Sequence, residues 1–228
     1  MSQAEFDQFA TSYNKDLSKS LAVTGEGRDF YAHGRIDWTA KCAADLGLKV
    51  RRILDYGCGD GANAPMLEAR FKPDHVLGVD ISTSSIALAS KSHISENVSF
   101  LTTDDWVPDA KADLAYVNGV FHHITPENRI DTLHTIRRAL TGDGLLAFWE
   151  NNPWNPGTRY VMSQCKFDEN SITISPWEAR KMLSQAGFRI LRSDFLFFFP
   201  RQLSALRPAE RFLRGLPLGG QFLVLCQY

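Results

Sequence analysis

The chain has 228 residues, 44% hydrophobic and 22% charged, which excludes disorder, collagen-like repeats and coiled coil and leaves ample length to bury a large core. Lys and Arg total 25 against 26 Asp and Glu, so no basic excess is present to grip a phosphate backbone, and nucleic acid is disfavoured as the main partner. Cys42, Cys58, Cys165 and Cys226 form no CxxC pair, which argues against a disulfide scaffold or a Cys-rich zinc site, and no metal is expected.

The N-terminus carries acids and no apolar signal-like run, and the longest strongly apolar stretch, Phe195 to Phe199, is far too short for a membrane span. A cytoplasmic protein with no membrane partner is therefore expected. Residues 1–50 read as helices that precede and cover a sheet, with Phe6, Phe9, Ala10 and Tyr13 on one face. From Arg51 onward, short apolar runs alternate with amphipathic segments, the pattern of βα units on a parallel sheet.

The first strand spans 52–56 and runs into the turn Gly57-Cys58-Gly59-Asp60-Gly61; a helix over 63–70 comes next, with Pro65 in its first turn. Strands are predicted over 75–80, 98–101, 113–117 and 144–149, the last buried on both faces by its unbroken apolarity. Helices are predicted over 82–92, with Ser/Thr caps at its start, and over 126–140, with Ile130, Leu133, Ile136 and Leu140 at helical spacing. Residues 151–175 read as a loop-rich insertion, too polar and too punctuated by Pro and Gly for regular structure. A helix over 176–186, a strand over 188–199, a basic amphipathic helix over 203–214 and a strand over 221–227 complete the chain, the last two strands forming an antiparallel return at the sheet edge. The reading is thus a helical cover, 1–50, and an α/β domain, 51–228.

Open α/β sheets bind ligands beyond the carboxyl ends of their strands, near the topological switch point. Three predicted strand ends carry informative residues. Asp55-x-Gly57-x-Gly59-x-Gly61 supplies glycines that tolerate positive φ and close approach of a ligand. Asp80 ends the second strand, placed to accept both hydroxyls of a ribose, and Asp104-Asp105 after the third suits the exocyclic amine of adenine.

Gly57-x-Gly59-x-x-Ala62 also fits a dinucleotide fingerprint, so charge must decide. The turn is flanked by Asp55 and Asp60, with no Lys or Arg between Arg52 and Arg70. Those carboxylates repel a diphosphate and attract a cation. S-adenosylmethionine, with a sulfonium, an ammonium and no phosphate, matches the site.

Ile53 to Gly61 resembles motif I of the class I (Rossmann-like) S-adenosylmethionine-dependent methyltransferases, and Val76 to Ser82 resembles their motif II. Asp113 to Ile124 resembles motif IV of the small-molecule branch, and Arg137 to Leu146 the approach to strand five, with Thr141 and Asp143 departing from the usual turn. The resemblance implies a doubly wound, mostly parallel seven-stranded sheet of order 3-2-1-4-5-7-6, strand seven antiparallel. It further implies that Gly57 and Gly59 pass the methionine moiety, Asp55 orients its ammonium, and Asp80 with Ile81 holds the ribose. Asp104, with Asp105 and Trp106 beside it, would meet the adenine; Asn118 and Gly119 would line the methyl donor, and Tyr13 would cover the cofactor. The product would be S-adenosylhomocysteine.

His122-His123 invites a general-base reading and equally a structural one. Glu150, ending strand five, is expected to face the cleft as a base or hydrogen-bonding group, or to anchor a loop. Trp154, Arg159 and Tyr160 are candidates for the acceptor pocket, and Cys58 is expected to be a small packing residue. A small-molecule acceptor is favoured, with the protein a monomer or homodimer. The alternatives are an NAD-dependent oxidoreductase, a non-catalytic cofactor-binding protein, and a protein or RNA methyltransferase.

Overall fold

Period-two alternation in the strands sets the architecture of this computed structural model, which describes residues 7, 17, 19–165 and 171–228. In β1 (Arg52–Tyr56) Ile53 joins one apolar cluster and Leu54 the other; in β4 (Ala112–Asn118) Leu114 and Tyr116 go with Ile53, Ala115 and Val117 with Leu54. Both faces therefore need cover, which is why these strands read as unbroken apolar runs. Helices α1 (Arg28–Asp45) and α2 (Ala64–Phe71) cover one face through Ile36, Trp38, Cys42 and Leu67. The other face lies under α4 (Pro126–Ala139) and α6 (Pro176–Gln185), through Leu133, Ile136, Ala179 and Leu183.

The remaining strands are β2 (His75–Asp80), β3 (Val98–Thr102), β5 (Leu140–Asn151), β6 (Arg189–Leu196) and β7 (Gln221–Gln227), in the order β3-β2-β1-β4-β5-β7-β6. All neighbours are parallel except β7, which runs antiparallel to both β5 and β6. Order and direction match the sequence expectation, with β6 outermost in the antiparallel return. Chain order reverses between β1 and β4, so the switch-point crevice opens at the ends of those two strands.

Helix starts reflect local chemistry. The Ser82 hydroxyl accepts from Ser85 N at the head of α3 (Thr83–Ser92), and Ser175 forms a capping box with Glu178 ahead of α6. Asp7 accepts from Ser82 Oγ at 2.6 Å and Ser84 N at 3.1 Å, tying the N-terminal region to α3. Phe6, Phe9, Ala10 and Tyr13 lie outside the described residues. No helix among the described residues is long and apolar enough to cross a membrane.

Three expectations are corrected. The insertion over 151–175 contains a helix, α5 (Pro156–Ser163): Asn155 caps it by accepting from Thr158 N, and Pro156 occupies its first turn. The strand expected to run to Phe199 ends at Leu196, because Phe197 takes φ 64° and the next two amides, Phe198 N and Phe199 N, donate to Glu210 Oε1. The basic helix begins instead as a 3-10 segment, Arg201–Ala209, that contains Pro208, and only α7 (Glu210–Leu213) is α-helical.

Candidate cofactor and acceptor site

The turn after β1 folds back on β2: Gly57 N and Cys58 N both donate to Val79 O, at 2.7 and 3.1 Å. Gly57 has φ +76°, and a Cβ there would stand 2.3 Å from Val120 Cγ2, so this position excludes a side chain. Cys58 is buried in the turn with its thiol pKa pushed well up by desolvation, the inert packing role expected of it. Asp80 locks the same turn, its Oδ2 accepting from Gly59 N at 2.8 Å and its Oδ1 from Ser82 N at 2.9 Å.

A cavity of about 390 Å³ opens here, lined by Gly57, Gly59, Asp80, Ile81, Asn118 and Gly119 among others. These residues, expected from sequence to meet the cofactor, are brought together by three strand ends. Asp104 and Asp105 are not on the lining: both are exposed, Asp105 is engaged by Thr102 Oγ1 at 2.7 Å, and Thr103 lines the cavity in their place. Trp106 is buried and packs on Tyr56, which lines the cavity, with ring centroids 5.9 Å apart.

The electrostatics differ from the doubly acidic turn expected. Arg28 of α1 reaches Asp60 with a two-pronged contact, Nη1 to Oδ2 at 2.9 Å and Nη2 to Oδ1 at 2.8 Å, and offsets its charge. Asp55 is 1% exposed, and its Oδ2 has no hydrogen-bond partner among the described residues. Desolvation first, then the nearby Asp80, pushes its pKa up to about 7. The negative character of the cradle therefore rests on Asp80 and on an Asp55 that ionises near neutrality.

A second cavity of about 640 Å³ adjoins the first, and Arg28, Asn63, Asn118, Gly119 and His123 line both. Its own walls include Tyr31, Arg35, His122, Tyr160 and Phe197. Of the three residues considered for an acceptor pocket, Tyr160 lines this cavity, whereas Trp154 and Arg159 do not. His123 has its pKa depressed to about 2, by burial first and by His122 second, so its ring is neutral.

Glu150 lines neither cavity, which corrects the expectation that it faces the cleft. It is 2% exposed and turned onto the segment after β4: Oε1 accepts from Phe121 N at 2.9 Å and His122 N at 3.3 Å, and Oε2 accepts from His122 Nδ1 at 2.7 Å. Glu150 is thus a positioning residue for the His122 turn.

Residues 53–144 match the family model of a methyltransferase domain. Over 137 residues the chain is 26% identical to a trans-aconitate 2-methyltransferase of Rhodopseudomonas palustris, covering 60% of the chain and 50% of that protein. The chain thus spans about half the length of that curated relative. Solved S-adenosylmethionine-dependent methyltransferases share its fold. The one from Archaeoglobus fulgidus has TM-score 0.61 and 16% identity over 85% of this chain and 94% of that one. The one from Mesorhizobium loti has TM-score 0.58 and 19% identity over 79% and 91%.

S-adenosylmethionine is the cofactor of the solved methyltransferases that share this fold, and the residues present here fit it. Gly57 leaves room for close approach, Asp80 keeps lone pairs beyond its two backbone bonds, and the buried Asp55 oxygen without a partner supplies negative potential behind the turn. Asp80→Ala should weaken cofactor binding about 100-fold, the value of roughly two charged hydrogen bonds. Titration calorimetry with S-adenosylhomocysteine measures this, and an unchanged affinity removes the ribose assignment.

Proposed function

We propose that this protein transfers the sulfonium methyl group of S-adenosylmethionine to a small-molecule acceptor held in the larger cavity. The observation that carries the reading is the junction of two chambers at the end of β4, where Asn118, Gly119 and His123 belong to both walls. One chamber has the acidic, glycine-lined character of a cofactor cradle, and the other is roomier, with Tyr31, Tyr160 and Phe197 to enclose an organic molecule. The relative named for trans-aconitate supports an acceptor of that size class.

S-adenosylmethionine, when bound, supplies an activated methyl whose bond to sulfur breaks, leaving the electron pair on sulfur in S-adenosylhomocysteine as the acceptor nucleophile bonds to carbon. The chain binds, orients and excludes water. Alignment of two bound reactants lowers such a barrier by roughly 7–11 kcal/mol, so turnover does not require a strong base. Gly119, at φ +65°, holds the backbone at the junction in a conformation that residues with a side chain rarely adopt. His123, held neutral by burial, adds no positive charge beside the sulfonium.

The test is incubation of the protein with S-adenosylmethionine labelled in its methyl group and a small-molecule cell extract, followed by mass spectrometry. One or more labelled metabolites are expected. A protein that binds S-adenosylhomocysteine yet labels nothing is a cofactor-binding protein, and the reading fails.

A further inference from the structure

We infer that Arg35 is the anion receptor of the larger cavity, so that the acceptor carries a carboxylate which the Arg35 guanidinium holds. The inference rests on the methyl-transfer reading and names the chemistry of its acceptor.

Arg35 lies on α1 and is only 5% exposed, yet it lines the cavity. Its Nε donates to the Tyr116 hydroxyl at 3.2 Å and its Nη1 to Gln221 Oε1 at 2.8 Å. Both partners are neutral. Gln221 is itself held, donating through Nε2 to Asn151 Oδ1 at 3.0 Å, so β4, β5 and β7 together fix the guanidinium. Neither an ion pair to Arg35 nor a hydrogen bond from its Nη2 occurs among the described residues. A buried guanidinium without a counter-charge costs several kcal/mol, which is why buried arginines are nearly always paired. An anion entering the cavity recovers that cost, and the planar fork matches a carboxylate.

The walls agree. Among the described residues no Asp or Glu lines the larger cavity, whereas Asp60 and Asp80 line the smaller one. Arg28, the other arginine on the wall, is held in a contact ion pair by Asp60, whereas Arg35 is attracted only by the buried Asp55, with no ion pair between them. The start of α5 contributes Gly157 and Thr158 to the same wall, adding the positive end of a helix. The two chambers are therefore sorted by sign: a cationic methyl donor on the acidic side, an anionic acceptor on the basic side. One guanidinium balances one negative charge, which suits a carboxylate better than a phosphate dianion.

The experiment uses methyl-labelled S-adenosylmethionine with a metabolite extract split on a quaternary-ammonium resin, the retained fraction assayed before and after phosphatase. Label is expected only in products from the retained fraction and is expected to survive phosphatase. Gln221→Glu places a carboxylate beside Nη1 and pairs the arginine inside the protein; it should raise KM for the acceptor by about 30-fold with kcat and S-adenosylhomocysteine affinity little changed. Arg35→Gln should do the same and Arg35→Lys should recover part of the loss. Should Arg35→Gln fail to fold, Gln221→Glu decides alone. Label in the unretained fraction, label lost after phosphatase, or a Gln221→Glu enzyme with unaltered KM overturns the inference. No label in any fraction overturns the methyl-transfer reading, and this inference with it.

Discussion

Asp55→Asn should raise the melting temperature of the ligand-free protein at pH 8 by on the order of 10 °C. In the native state burial lifts this carboxyl from its ordinary value of 3.8 to about 7. A group whose pKa is higher folded than unfolded favours the fold while it is protonated. Its contribution is complete below about pH 4 and is lost as the pH climbs through about 7. Three units of difference at about 1.4 kcal/mol each amount to about 4 kcal/mol surrendered by pH 8. Asparagine has the same shape and no charge to desolvate, so the variant should lack the loss that Asp55 causes, and its stability should climb from pH 4 toward 6.5 as the buried, neutral His123 ceases to be a cost. The wild-type charge has a use: a cation in the adjoining cavity favours the ionised form, so cofactor binding should release a proton and tighten between pH 6 and 8. The variant should bind S-adenosylmethionine more weakly and independently of pH. Thermal melts from pH 4 to 8, with calorimetry in buffers of different ionisation enthalpy, test both halves. A variant whose stability tracks pH as the wild type does removes Asp55 as the source.

The same residue shows what a sequence conveys about such a site. Asp55, Gly57, Gly59 and Asp80 are legible because they sit at strand ends, where apolar periodicity stops and the backbone turns. Asn118 and Gly119 are legible for the same reason. Thr103 escapes sequence reasoning in favour of Asp104 because a one-residue offset after a strand end changes which side chain faces the ligand: Thr103 N still donates to Asp80 O at 2.9 Å, continuing the β2–β3 pairing by one step. Helix α5 is hidden by the composition around it, although Asn155-Pro156 is itself a helix-start signal.

Arg28 and Arg35 are beyond the reach of sequence on different grounds. Arg28 meets Asp60 across 32 positions, and Arg35 meets Tyr116 and Gln221 across 81 and 186. Only the packing of α1 across the sheet joins these residues, so a charge count along the turn overstates its acidity and cannot detect the basic wall beside it. The cradle remains suited to a cation, but through Asp80 and Asp55 rather than through Asp60.

Replacing Glu150 should cost more than its distance from both cavities suggests, and the form of the loss separates anchoring from catalysis. Glu150→Ala leaves His122 Nδ1 and the amides of Phe121 and His122 without their acceptor inside the protein, where breaking such a pair costs about 3–5 kcal/mol. For a chain of 228 residues that is a fall in melting temperature on the order of 10 °C. Glu150→Gln is the sharper probe. Its amide oxygen can still accept from the two backbone N–H groups, but its NH2 then faces His122 Nδ1 and moves the ring proton to Nε2. An imidazole with its proton on Nε2 cannot take a proton from a molecule at that nitrogen. If Glu150 only shapes the turn that forms part of the walls of both chambers, Glu150→Gln should keep kcat close to wild type and lose only part of the stability that Ala loses. That is the expected result, because every contact of the carboxylate is spent on the 121–122 segment and on Asn151 N at 3.3 Å. A fall in kcat of about 100-fold at unchanged melting temperature would instead make His122 a general base oriented by Glu150. Melting curves of both variants and kcat for the acceptor recovered from the labelled extract decide the matter, and a pH profile of kcat that loses its lower limb in Glu150→Gln would point the same way as the fall in rate.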